Sequence, residues 1–130
     1  MELTTDQRGA VAETAIVHAA VKLGIGVAKP VADERYDLIF DLGERLVRVQ
    51  CKLARRRDDV VVVRCYSARR SPSGLLKRTY AEGEIDAFAA YCPELERCYH
   101  LPYERFAGRT QVDLRLTRCR KQPAAWDQFG

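Results

Sequence analysis

Residues 36–53 read Tyr36-Asp37-Leu38-Ile39-Phe40-Asp41-Leu42-Gly43-Glu44-Arg45-Leu46-Val47-Arg48-Val49-Gln50-Cys51-Lys52-Leu53. Two alternating runs, 36–42 and 45–53, flank a Gly-Glu pair. That arrangement signals a β-hairpin closed by a two-residue type II′ turn. With Gly43 and Glu44 as the turn residues, Leu42 faces Arg45 and Asp37 lies opposite Gln50. Side chains alternate faces along a strand, so Asp37, Gln50 and Lys52 project from one side. Directly opposed Cβ atoms lie about 5 Å apart and diagonal ones about 7–8 Å, which brings the three polar groups together locally. The other face holds Leu38, Phe40, Val47, Val49, Cys51 and Leu53 and is predicted to be core. Ile39, Leu46 and Arg48 share the Asp37 side. That side is either a cleft wall or the ordinary solvent-facing side of an antiparallel pair.

Upstream, Thr4-Thr5-Asp6-Gln7 fits a capping box, with Thr4 as N-cap and Gln7 three residues on. A helix is predicted from there to about Leu23, with Gly24 placed as a left-handed cap. Ala12, Ile16, Ala19, Ala20 and Leu23 recur at helical spacing, and their small size predicts close packing on a sheet. Glu13 shares a face with Gly9, Ile16, Val17 and Ala20. A carboxylate on that stripe is either paired or metal-bound, or lies at its edge and reaches water.

Downstream, residues 59–66 form a valine-rich strand and residues 67–83 read as a long polar loop. Residues 88–92 and 97–101 are short strands separated by Pro93-Glu94, 103–106 a helical turn, and 112–116 a last strand. Residues 27–31 read as a short, interrupted strand. The pattern predicts an α/β (α+β) fold, with one long helix on a largely antiparallel sheet. A chain of 130 residues suits a single domain, residues 1–130.

The composition, 47% hydrophobic and 31% charged, supports a buried core and excludes a disordered chain. No apolar run approaches the ~20 residues of a membrane span, so no membrane partner is expected. The N-terminus shows no basic segment followed by an apolar one, so a cytoplasmic location is expected. Five cysteines, at 51, 65, 92, 98 and 119, form neither a zinc spacing nor a disulfide framework, which also fits a reducing compartment. The charge is uneven. Residues 1–54 hold 7 basic and 8 acidic side chains, for −1, and residues 55–130 hold 15 and 10, for +5. The basic half suggests a surface that faces a polyanion, although Arg outnumbers Lys by 17 to 5, as a GC-rich coding sequence would also produce. Trp126 and Phe129 read as a packing clasp.

Glu13 on the first helix, then Tyr36-Asp37-Leu38-Ile39, then Val49-Gln50-Cys51-Lys52, resembles the PD-(D/E)xK nuclease superfamily, the last element in its (E/Q)-x-K form. The resemblance is to the small group that contains the homing endonucleases of cyanobacterial group I introns. Residues 83–95, with Glu84 and Asp86, are similar to that group's second shared block, and Tyr99-His100-Leu101-Pro102 to its strand-to-helix turn. Two departures stand out: Tyr36 occupies the usual proline position, and Gln50 replaces an acidic residue. The second removes one negative charge from the site.

The resemblance implies a restriction-endonuclease-like core and hydrolysis of DNA phosphodiesters with Mg²⁺, for which Mn²⁺ substitutes. It implies that Asp37 is the central metal ligand, aided by the Gln50 side-chain oxygen and the Cys51 backbone carbonyl. Hard divalent cations take such oxygen ligands. Glu13 would bind or orient from the helix side, and Lys52 would hold the attacking water or stabilise developing charge. Arg48 is the other cation of that face, but stands two residues toward the turn. Arg55, Arg56 and Arg57, then Arg69 and Arg70, then Lys77 and Arg78, are the candidate phosphate contacts. Duplex cleavage needs two sites, so a homodimer or larger homo-oligomer is expected. The alternatives are a structure-selective nuclease such as a Holliday junction resolvase, or a nuclease-derived DNA-binding protein without catalysis. The intact Glu13, Asp37, Gln50 and Lys52 set favours an enzyme.

Overall fold

The computed structural model describes residues 1–116 and 128–129. The hairpin forms in the predicted register. Strand β2 (Leu38–Asp41) runs antiparallel to β3 (Leu46–Leu53), with Leu38 opposite Val49 and Phe40 opposite Val47. Gly43 takes a positive φ of 90°, and Leu42 N donates to the Arg45 carbonyl at 3.0 Å to close the turn.

The helix α1 (Thr5–Lys22) begins with the capping box: Gln7 N donates to Thr4 Oγ1 at 3.1 Å, and Thr4 N donates to Gln7 Oε1 at 2.9 Å. It ends at Leu23 and Gly24, the latter with φ of 81°. Ala12, Ile16, Ala19 and Ala20 are buried as predicted, whereas Leu23 is 56% exposed. Leu23 is the cap residue, where the chain leaves the helix and its side chain leaves the stripe.

Strand β1 (Gly26–Ala28) lies on the far side of β2. Next come β4 (Arg55–Arg57), β5 (Val60–Arg64), β6 (Tyr66–Ser71), β7 (Gly74–Thr79), β8 (Ala87–Cys92), β9 (Arg97–Pro102), the one-turn helix α2 (Tyr103–Phe106), β10 (Gln111–Arg115) and β11 (Gln128–Phe129). The main sheet has the order β1-β2-β3-β8-β9-β11, and only β3 and β8 are parallel. Strands β10-β5-β4 make a second, antiparallel sheet, and β6-β7 a third. The expected mixed, largely antiparallel α+β architecture is therefore present.

The predicted polar loop over 67–83 is instead mostly this β6–β7 ribbon, which pairs Tyr66 with Thr79 through to Ser71 with Gly74. Every residue of β7 is exposed, Leu75 and Leu76 included. The described side chains of the ribbon's strands are at most half-buried, so no apolar alternation marked it as a hairpin.

Both faces of the main sheet are covered. Ile16, Ala19 and Ala20 of α1 pack on Leu38, Phe40, Val47, Val49, Ala87 and Ala89. On the other face Phe88, Ala90 and Leu101 pack with Val61, Val63, Val112 and Leu114. Phe88 meets Tyr80 and Phe106 edge-on, at 5.2 and 4.4 Å between ring centroids. The predicted hairpin core face is thus buried at Leu38, Phe40, Val47 and Val49, but Cys51 is only half-buried and Leu53 is 39% exposed. Those two lie where β3 runs past the end of β2. Four cysteines, Cys51, Cys65, Cys92 and Cys98, are free thiols; Cys119 and Trp126 lie outside the described residues.

Asp86, in the second block of the sequence resemblance, is a structural clasp. Its carboxylate accepts from Arg48 N, Nε and Nη2 at 2.8, 3.1 and 3.1 Å, while Asp86 N donates to the Arg48 carbonyl at 2.9 Å. This fork sets the start of the parallel β3–β8 pairing and commits the Arg48 guanidinium to Asp86. The Arg48 guanidinium holds the Asp86 carboxyl below the usual carboxylate range. A depressed carboxyl contributes stability above its unfolded value, about 3.9, and loses it as pH falls through the lower folded value. Acid unfolding below about pH 4 should therefore be less steep in Asp86→Asn than in the parent, and less stability should remain at pH 7. Thermal melts at pH 3 to 7 check this; parallel curves would remove the clasp's role.

Candidate active site

Strand β3 outruns β2 by four residues, because Val49 is the last of its residues to face β2. Residues 50–53 pair with β8 on one side only. Their other edge is met by the segment just before β2. Asp37 N donates to the Val49 carbonyl at 2.9 Å, and Asp37 Oδ2 accepts from Cys51 N at 3.0 Å. The carboxylate thus continues the ladder where the strand has ended. Burial pushes the Asp37 carboxyl above its ordinary range; the Cys51 N–H pulls it down, nearby Glu13 pushes it up, and Lys52 and Lys29 pull it down.

Gln50 lies beside it. Both atoms facing the end of its amide are acceptors, so the nitrogen is assigned to that side: Nε2 donates to the Arg35 carbonyl at 2.7 Å and to Asp37 Oδ2 at 3.3 Å. Two oxygens this close demand a donor or a cation between them and the amide. A half-turn of the amide would offer three oxygens instead, the donor set a hard ion takes. With the amide so turned, the residues fit a hard divalent cation.

Lys52 comes from the same face. Its Nζ donates to the Tyr66 carbonyl at 2.7 Å and lies 5.9 and 5.8 Å from the Tyr80 and Phe88 ring centroids. Burial holds its ammonium below the ordinary lysine range, against the opposing pull of Cys65 and Asp37, and Arg35 lowers it further.

Glu13 reaches the site from α1, which packs on the opposite face of the sheet, so it approaches round the start of β2. Its Oε1 is 2.6 Å from Lys29 Nζ, and its side chain is 26% exposed. The paired alternative for this carboxylate is the one the fold adopts. Glu13, Lys29, Asp33, Glu34, Tyr36 and Asp37 line one open recess. The structure thus brings Glu13, Asp37, Gln50 and Lys52 to one end of the hairpin.

Two cations beside this set escaped the sequence reading, Lys29 and Arg35. Lys29 follows β1 and carries no local signal. Arg35 is two residues before Asp37, so strand alternation could have placed it on the Asp37 side. Glu84 also gains a place: it lies 3.0 Å from Arg35 Nε and accepts from Arg78 Nη2 at 3.0 Å.

The basic clusters divide. Arg55, Arg56 and Arg57 are β4, an exposed edge strand directly after Lys52's strand, where Arg56 N donates to Glu94 Oε2 at 3.2 Å. Arg69 and Arg70 lie on β6, at register positions opposite Leu76 and Leu75. Lys77 Nζ sits 4.8 Å from the Tyr66 ring centroid, and the Arg78 side chain is 67% exposed.

A mixed sheet with a helix on one face, and an acidic and a basic side chain converging at the end of its central hairpin, defines a restriction-endonuclease-like fold. Residues 3–127 match the family described as PD-(D/E)XK endonuclease, and the chain belongs to that family. Among solved structures it is similar to one titled as that of a bacterial homing endonuclease, I-Ssp6803I. That match has a TM-score of 0.77 and 28% identity, and covers 97% of this chain and 89% of the other. No curated protein matches.

Proposed function

We propose that this family member is a divalent-metal-dependent DNA endonuclease of the homing-endonuclease kind. The observation that carries the proposal is the convergence of Asp37, Gln50 and Lys52 where β3 outruns β2, with Glu13 beside them. Asp37, the Gln50 side-chain oxygen and the Cys51 carbonyl would hold the ion, with Glu13 on the helix side. When bound, the ion acidifies a water and polarises the phosphoryl oxygen.

Lys52 Nζ spends one of three N–H donors on Tyr66. The others would hold the attacking water and meet the negative charge that develops on the phosphoryl oxygens. Tyr66 aims that ammonium, and the rings of Tyr80 and Phe88 limit its access to water. Glu13, itself held by Lys29, orients water from the opposite side.

The DNA lies across β4 and the β6–β7 ribbon, which carry the basic clusters; β4 follows the strand of Lys52, and Tyr66 of the ribbon accepts from Lys52. The active assembly contains at least two copies, since one chain provides one site for two strands. Incubation of plasmid DNA with Mg²⁺ or Mn²⁺ tests the reading. Cleavage is expected with either ion and none in EDTA; intact plasmid under all conditions would overturn it.

The surface assignment makes a separate prediction. Neutralising Arg55 and Arg69 together should weaken DNA binding and reduce the slope of log K against log salt by about 0.9 for each phosphate no longer neutralised. Fluorescence anisotropy at several salt concentrations measures this. An unchanged slope would move the DNA to another face.

A further inference from the structure

Arg35 has its carbonyl beside the candidate metal ligands and its guanidinium on the ribbon that carries two of the basic clusters. Its main-chain carbonyl accepts from the Gln50 amide at 2.7 Å, two residues before Asp37. Its guanidinium leaves the hairpin and lands on the base of the β6–β7 ribbon. Nη1 donates to Ser67 Oγ at 3.0 Å, and Nη2 donates to the Thr79 carbonyl at 3.3 Å. Ser67 is on β6 and Thr79 on β7, so one planar fork ties both strands together. The guanidinium also stacks 3.8 Å from the centre of the Tyr80 ring.

Nε lies 3.0 Å from Glu84 Oε2, out of line for a hydrogen bond, so that contact is ionic. The same Glu84 oxygen takes Arg78, whose side chain is on the exposed surface of the ribbon. Lys52 is fastened to the same base through Tyr66. Two side chains of the hairpin, Lys52 and Arg35, are thus pinned to residues at one end of the ribbon: Tyr66, Ser67, Thr79 and Tyr80.

We infer that Arg35 is a positioning residue for cleavage: it couples the placement of the β6–β7 ribbon on DNA to the placement of Asp37, Gln50 and Lys52 at the scissile phosphate. The inference rests on the nuclease reading above. The physical route is continuous. A phosphate that engages Arg78 competes with Glu84 for that guanidinium, Glu84 then holds Arg35 alone, and Arg35 holds the ribbon base on which Tyr66 takes Lys52. Displacement costs most at the reacting atoms, so a disturbed Arg35 shows in the cleavage rate at saturation more than in DNA affinity.

The test uses Arg35→Lys and Ser67→Ala in the full chain. Lysine keeps the charge but cannot supply a planar fork to Ser67 and Thr79 while stacking on Tyr80. A displacement of about 1 Å at reacting groups costs up to about 100-fold. Single-turnover cleavage at saturating DNA should therefore fall about 10- to 100-fold in Arg35→Lys, with DNA Kd within about twofold of the parent. Ser67→Ala should fall in the same direction by about 3- to 10-fold, and decides the matter if Arg35→Lys does not fold.

A raised Kd with cleavage at saturation unchanged would make Arg35 a DNA contact and overturn the inference. A lowered Tm with an unchanged rate per folded molecule would make it merely structural and also overturn it. If the parent itself never cleaves, the nuclease reading fails, a result distinct from a parent that cleaves and variants that match it.

Discussion

Asp37→Ala and Lys52→Ala are each expected to abolish DNA cleavage while the chain still folds. The expected loss is about 10³-fold or more, or about 4 kcal/mol of transition-state stabilisation. The reason differs between the two. Asp37 is the carboxylate at which the acceptor oxygens converge, so on the proposed reading its removal would take away the central charge for the ion. Alanine there also strands the Cys51 N–H, at about 1–3 kcal/mol of stability. Asp37→Asn is the cleaner partner, since it keeps an acceptor oxygen and loses the charge. Lys52→Ala leaves the ion's ligands in place and removes the ammonium that meets the nucleophile and the developing charge. Plasmid nicking with Mg²⁺, beside circular dichroism and thermal melts, separates chemistry from folding. Cleavage that persists in both alanine variants would place the site elsewhere.

Phe88→Ala should be the most damaging single truncation of the core, at about 3–5 kcal/mol. Phe88 is fully buried on β8, opposite Gln50 in the parallel register, and is clasped edge-on by Tyr80 and Phe106. The cavity would open directly under the active-site face, because the Lys52 ammonium lies 5.8 Å from its ring centroid. Lost stability should therefore come with a looser Lys52 and slower cleavage by the folded fraction. Urea unfolding of the parent and variant gives the first quantity. A loss under about 1 kcal/mol would show that the surrounding residues collapse into the space.

The hairpin was legible because two local rules agreed. Alternation assigned the faces and Gly43 marked the turn, and together they fixed the register from Leu38 against Val49 to Asp41 against Leu46 without any tertiary contact. The capping box over Thr4 and Gln7 was legible for the same reason: its partners are three residues apart. The β6–β7 ribbon was not, because its strands bury little and hydrophobic periodicity records only burial. Leu53 and Leu23 were misplaced by the same rule in reverse. Leu53 continues an apolar period past the end of β2, and Leu23 continues one past the end of its own helix.

Glu13 needed more than a helical wheel. Its place on a small-residue stripe was readable, but whether it faced water or a partner depended on Lys29, sixteen residues on, arriving from β1. Glu84 and Asp86 stood out as an acidic block without a role. The fold shows that Asp86 clasps Arg48 and Glu84 joins Arg35 to Arg78, contacts that span 38, 49 and 6 residues of chain.

The sequence by itself determined the capped helix, the register of the β2–β3 hairpin and the side from which Asp37, Gln50 and Lys52 project. These follow from backbone periods and from turn and cap chemistry acting over a few residues. Only the tertiary structure decided that β3 outruns β2, so that Asp37 completes the ladder with its side chain. It alone set Glu13 against Lys29, paired Arg48 with Asp86, and brought Arg35 and the ribbon base up to Lys52. Those contacts join groups far apart in the chain, and their geometry exists only once both faces of the main sheet are packed.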